Sequence, residues 1–218
     1  ILGRAFFTAI SIGLVMILLN QPLWELGAVL MNVSETQFQL VEDYFTIRML
    51  AAPATLSLYA LMGWYFGMQN AVYPLMITIF LNIINIGISA LLVLHYGMEI
   101  KGVAYGTLIA QYIGLLFALL LLLKKYKYIL QAIILKSIFV KREILRFFQL
   151  NKDIFLRTLC LSFVFGFFYS QSSKSGEMVL ASSVILLQFL NWMSYGIDGF
   201  AYASESLTGK YYGAGDDK

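Results

Sequence analysis

The sequence predicts an all-α integral membrane protein with six transmembrane helices, on three observations. Of the 218 residues, 60% are hydrophobic and 12% charged, about half the charge of a soluble domain (~25%). The mean hydropathy is +0.78. The apolar residues fall in runs that match or exceed the ~20 residues needed to cross the hydrocarbon core, and no segment alternates strictly, as a barrel strand would.

The first span is Ala5 to Trp24, charge-free and bounded by Arg4 and Glu25. "NVSETQFQLVEDYFTIR" follows. There Ser34 and Gln37 stand at capping-box spacing, which predicts a helix from Glu35, running on through Arg48 into the second span with Pro53 as a kink. Arg48 reads as a snorkelling side chain or as a partner for Glu42 or Asp43. Met49 to Met98 contains no acid, lysine or arginine and is too long for one crossing. The polar, turn-forming "GMQNAVYP" at 67–74 divides it into the second and third spans. Gly102 to Leu123 is the fourth. Here Gly102, Gly106, Ala110 and Gly114 put a small residue at every fourth position, the signature of close helix packing in membranes. The fifth span centres on Thr158 to Tyr169 and reaches spanning length only with Ile154–Leu156 and 170–173, so Arg157 must snorkel. Met178 begins the sixth.

Nine of the fifteen basic residues lie between Lys124 and Arg157, which makes the loop at 124–153 cytoplasmic. Alternation then puts 67–74 and the C-terminal end inside, and 25–48, 96–101 and 170–177 outside. The mixed basic and apolar "IILKSIFVKREILRFFQLNKD" reads as an amphipathic helix resting on anionic headgroups, which also joins two bundles. The chain is expected to be an internal piece of a longer protein, without a signal peptide.

The composition argues against several functions. One cysteine and one histidine exclude an internal disulfide and a cysteine- or histidine-rich metal centre. HExxH, GxGxxG and a phosphate-binding GxxxxGK loop are absent, and the basic loop lacks the context of a nucleic-acid module. The expectation is a protein that is not an enzyme, with no cofactor or metal, no nucleic-acid partner, and the lipid bilayer as its surroundings.

The chemistry concentrates in "YGIDGFAYASESLTGKYYGAG". Tyr195, Asp198, Tyr202 and Glu205 follow steps of three, four and three, so they share one helix face. The opposite face is small or apolar: Phe200, Ala203, Ser204, Leu207. A carboxylate at the bilayer centre costs ~2.5–3.5 kcal/mol on insertion scales and is normally functional or paired. The competing reading puts both acids at the inner headgroups, because Met178 to Ile197 already supplies a full crossing. In the third span, Asn82, Asn85 and Ser89 again share a face. They line a cavity or make interhelical hydrogen bonds, and the spacing does not choose between these.

"YFTIRMLAAPATLSLYALMGWYFGMQNAVYPLMITIFLNIINIGI" resembles the middle of the N-lobe of multidrug and toxic compound extrusion (MATE) transporters. "VILLQFLNWMSYGIDGFAYASESLTGKYYGAG" is similar to the DinF-like branch of that family. The resemblance covers nearly the whole chain. It implies a twelve-helix, two-lobed bundle in the cell (inner) membrane, of which this chain supplies helices three to eight. Residues 1–123 would finish the N-lobe, 124–150 would be the cytoplasmic linker, and 151–218 would open the C-lobe. It further implies a monomeric antiporter that exports organic cations or other amphiphilic compounds in exchange for protons or sodium. Asp198 and Glu205 match the branch's helix-eight acids. In several relatives an acid lies four residues after the asparagine that matches Asn85; here that position is Ser89, which puts a relay through it in doubt. Ion coupling is therefore assigned to Asp198 and Glu205, and the substrate cavity to Tyr195, Tyr202, Asn82, Asn85 and Ser89. The alternatives are a related lipid-linked oligosaccharide flippase, which would need a strongly cationic cavity, and a non-transporting scaffold. An intramembrane aspartyl enzyme would need its two acids on different helices.

Overall fold

Two of the three prolines set the bends of the molecule. A proline ring inside a helix clashes with the carbonyl four residues earlier and removes an N–H. In the computed structural model, which describes residues 2–31, 33–131 and 141–214, helix α1 (Leu2–Leu18) stops four residues before Pro22. Helix α2 (Asn20–Met31) leaves at 73°. Helix α3 (Phe38–Met49) likewise stops four residues before Pro53, and α4 (Ala52–Gly67) continues at 51°. Pro74 falls in the first turn of α5 (Val72–Ala90), where an N–H has no helical partner anyway, and α5 runs on unbroken through a π-helical turn at Leu91–His95.

Helix α6 (Glu99–Gln131) is long and kinks at Tyr126, whose φ of −122° and ψ of 25° lie outside the helical region. Helices α7 (Lys141–Lys174) and α8 (Glu177–Ala214) follow and end the described residues. Every regular element among the described residues is helical. Among the described residues four helical stretches are long and apolar enough to cross a membrane, and the number rises to six when each bent pair is taken as one broken span. The predicted six is the upper end of this range, with two of the spans broken.

Two sequence expectations need correction. The helix predicted from Glu35 begins at Phe38, because Thr36 Oγ1, 3.2 Å away, engages the Ser34 hydroxyl. The Gln37 N–H instead closes a turn on the Ser34 carbonyl, and no side chain caps α3. The kink expected at Pro53 is a full break at Leu50–Ala51. The Leu50 carbonyl there accepts a hydrogen bond from Tyr112 Oη of α6 at 2.9 Å. The stretch read as a surface helix lies partly in 132–140, outside the described residues.

The chain forms two compact units, Ile1–Val29 with Val33–Thr158, and Leu30–Asn32 with Leu159–Lys218. In the first, α1 packs on α4, and α6 packs on α3, α4 and α5. Gly13 makes the first contact possible: a Cβ there would fall 2.5 Å from Cα of Pro53. The core gathers Leu2, Leu58, Leu61, Tyr65, Ile77, Ala118, Leu122 and Tyr126. Ala110 and Ala118 are fully buried. A Cβ on Gly106 would lie 2.8 Å from Cα of Ser89, and one on Gly114 2.9 Å from Leu81 Cδ1. The small-residue stripe thus does what its spacing predicts and lets α5 and α6 touch backbone to backbone.

In the second unit, α7 turns into α8 at Gly176, whose φ of +108° is one that L side chains rarely adopt. The buried Ser172 hydroxyl donates to the Ser183 hydroxyl at 3.2 Å and ties the two helices near that turn.

Candidate functional site

Tyr195, Asp198, Tyr202 and Glu205 all sit in the uninterrupted α8, so the face inferred from their spacing exists as a continuous helical stripe. All four are exposed on their own unit; Tyr195 is 68% and Tyr202 56% accessible. Seven residues at ~1.5 Å rise set the two acids about 10 Å apart along the axis. Twenty residues separate Met178 from Asp198, about 30 Å of helix and the full thickness of a hydrocarbon core. Asp198 therefore stands where apolar lipid gives way to headgroups if Met178 marks the outer edge, and deeper if α8 tilts.

The other predicted positions lie in the first unit. Asn85 Nδ2 donates to Thr107 Oγ1 of α6 at 2.9 Å, and that hydroxyl donates to the Val103 carbonyl at 2.9 Å. Ser89 packs over Gly106, and its buried Oγ meets no partner among the described residues. Asn82 is exposed. The shared face of Asn85 and Ser89 is thus turned to α6, and Asn85 makes the interhelical hydrogen bond that was one of its two readings. The structure brings Asn85 and Ser89 together on the α5–α6 contact and groups the α8 residues separately.

A polar and aromatic cluster that sequence reasoning missed lies at the ends of α4, α5 and α6. Asn70 is its hub. Its side-chain oxygen accepts from the Tyr73 N–H at 3.2 Å, its Nδ2 donates to Tyr126 Oη at 3.2 Å, and its own N–H donates to the Tyr65 carbonyl at 2.9 Å. Tyr65 Oη donates to the Ala118 carbonyl at 2.8 Å. Trp64 meets Tyr126 edge to face at 5.0 Å, and Lys125 Nζ lies 5.3 Å from the centre of the Tyr73 ring and 5.6 Å from that of Tyr126. The signal in the sequence was "QNAVYP" itself, a polar turn flanked by tyrosines, but Lys125 and Tyr126, which complete the cluster, lie more than fifty residues away.

Among the described residues no cluster of histidine, cysteine or acid could hold a metal ion. The chain is 34% identical over 218 residues, 99% of its length, to DNA damage-inducible protein F of Escherichia coli, and covers 47% of that protein. It is 24% identical over 184 residues to Protein DETOXIFICATION 43 of Arabidopsis thaliana, 84% of this chain and 34% of the relative. For Protein DETOXIFICATION 42 of the same plant the identity is 24% over 177 residues, 81% of this chain and 33% of the relative. The chain thus spans about half the length of the first relative and a third of the other two. No family model and no solved structure matches it. A bundle of apolar helices, four to six of them able to cross a membrane, joins this similarity along nearly every residue: the chain belongs to the multidrug and toxic compound extrusion family, on its DinF-like branch, and is a multi-pass membrane protein.

Proposed function

We propose that this chain is part of a cation-coupled antiporter that exports organic cations or other amphiphilic compounds by alternating access, with Asp198 and Glu205 as the coupling acids. The observation that carries the reading is the acidic stripe of α8: two carboxylates and two tyrosines on one exposed face of a continuous helix that is apolar for most of its length. A carboxylate facing a cavity of low polarity has a raised pKa, so it exists with or without its proton. Protonated, it is cheap to bury; ionised, it attracts a cation. Proton (or sodium) and cationic substrate then compete for one charge, and that competition is what exchange requires. Tyr195 and Tyr202 offer ring faces to a cation on the same side of the helix. Two lobes rocking about the site would alternate its access. Residues 1–123 would finish one lobe, 124–150 would tether it at the cytoplasmic face of the inner membrane, and 151–218 would begin the other. Family membership supports the reading, since an efflux carrier needs such a site.

The test is efflux of a cationic dye from cells that make the full-length protein. Asp198→Asn should abolish it at unchanged membrane abundance. A double Asp198→Asn, Glu205→Gln variant that still exports dye at the normal rate would show that the two acids do not couple transport.

A further inference from the structure

A cavity of about 230 Å³ lies within the first unit, lined by Met16 of α1, Phe45, Arg48 and Met49 of α3, and Ala52, Thr55 and Leu56 of α4. Arg48 is the one charged member of that lining. Its Nη1 is buried and meets no hydrogen-bond partner among the described residues. A guanidinium in apolar surroundings is costly unless an anion faces it. Asp43 and Glu25 are engaged with other side chains. Asp43 pairs with Lys101 of α6 at 3.0 Å, and Glu25 accepts from Gln21 at 3.3 Å. Glu42 and Asp43 stand six and five residues before Arg48, off its helix face; the positions that stack beneath it are Phe45 and Tyr44. The expected partnership of Arg48 with Glu42 or Asp43 therefore fails for Asp43, which is committed to a lysine on another helix.

We propose that this cavity is an anion site: Arg48 takes the oxyanion head of a small amphiphile, and Met16, Phe45, Met49 and Leu56 hold its apolar body. An arginine fork matches a carboxylate or phosphate with two parallel hydrogen bonds. The size follows by scaling. An enclosed cavity of ~150 Å³ holds benzene, so this more open pocket of about 230 Å³ admits a ligand somewhat larger, such as a six-carbon monocarboxylate. The site is opposite in charge to the acids of α8 and does not depend on their role. Its head group would come either from a free carboxylate or from an anionic lipid whose phosphate reaches Arg48 near the outer membrane surface.

Trp24 reports on the site, because it is nearly fully buried and its ring lies 5.7 Å from that of Phe45 in the cavity wall. The experiment titrates 6-bromohexanoate against the full-length protein in zwitterionic nanodiscs and reads bromine quenching of tryptophan fluorescence, with Trp24→Phe to identify the signal. Saturable quenching is expected. It should weaken at least about tenfold in Arg48→Gln, as loss of charge-assisted hydrogen bonds implies, and less in Arg48→Lys. Thr55→Met, which fills the cavity and keeps the charge, should abolish it, so the proposal stays testable even if the arginine variants fold poorly. Including phosphatidylglycerol separates the sources: competition with 6-bromohexanoate assigns the site to a lipid headgroup, and unchanged quenching assigns it to a free carboxylate. Three results would overturn the proposal: no quenching in the wild type, quenching that persists in Trp24→Phe, and equal quenching by 6-bromohexanol.

Discussion

Asp43 Oδ2 lies 3.0 Å from Nζ of Lys101, joining α3 to the start of α6 across what the charge pattern makes the external face. Both side chains are partly in water, with 49% of Lys101 and 25% of Asp43 accessible, so the pair should contribute little energy of its own. A double-mutant cycle with Asp43→Asn and Lys101→Met in the full-length protein should give a coupling of about 0–1 kcal/mol that shrinks in molar salt. A coupling of several kcal/mol that ignores salt would mean that the pair is buried in the whole protein.

The α5–α6 contact gives a sharper prediction. Alanine normally stabilises a helix relative to glycine, by up to ~1 kcal/mol. Gly87 has open space around its would-be Cβ, so Gly87→Ala should be neutral or slightly stabilising in thermal melts of the full-length protein in detergent. Gly106→Ala should have the opposite sign, because its Cβ would meet the backbone of Ser89 and force the helices apart, at ~1–3 kcal/mol. Equal effects at the two glycines would show that the contact relaxes freely.

Asn70 should be the costliest polar position in the cluster at the ends of α4, α5 and α6. Asn70→Ala leaves the Tyr73 N–H without its acceptor and should cost about 1–3 kcal/mol, whereas Tyr126→Phe, which removes one hydroxyl and keeps the ring stack, should cost about 1 kcal/mol. The same melts measure both. The reverse order would mean that the tyrosine hydroxyl is the anchor.

What was legible in the sequence was whatever a single helix encodes. The small residues of α6, the one-sided acids of α8 and the apolar runs are periodicities, and periodicity fixes a face. The breaks were half-legible. Pro53 reads as a kink in the sequence, and Pro22 stands in the same relation to the end of α1 that Pro53 does to the end of α3, but only the packed helices show both as breaks. The capping box failed because spacing alone does not show that the Ser34 hydroxyl is engaged by Thr36 instead of capping α3. The Arg48 cavity was out of reach, because Met16, Phe45 and Leu56 meet only once three helices have packed, and Arg48 looked pairable until Lys101 was seen to hold Asp43.

The orientation rests on the basic loop, and labelling tests it. In the full-length protein with Cys160 replaced, an impermeant thiol reagent added outside should modify a cysteine at position 38 and spare one at position 130. Labelling at 130 but not at 38 would invert every inside and outside assignment made above.

If the α8 acids couple ion to substrate, binding of a cationic substrate displaces protons from them. The full-length protein is reconstituted in liposomes, a cationic substrate is added, and the protons it displaces are counted for the wild type, Asp198→Asn and Glu205→Gln. On the proposed reading Asp198 is the deeper acid and carries the release, so Asp198→Asn should abolish it. Glu205→Gln should only reduce it. Normal release from Asp198→Asn would contradict the account and place both acids at the headgroups.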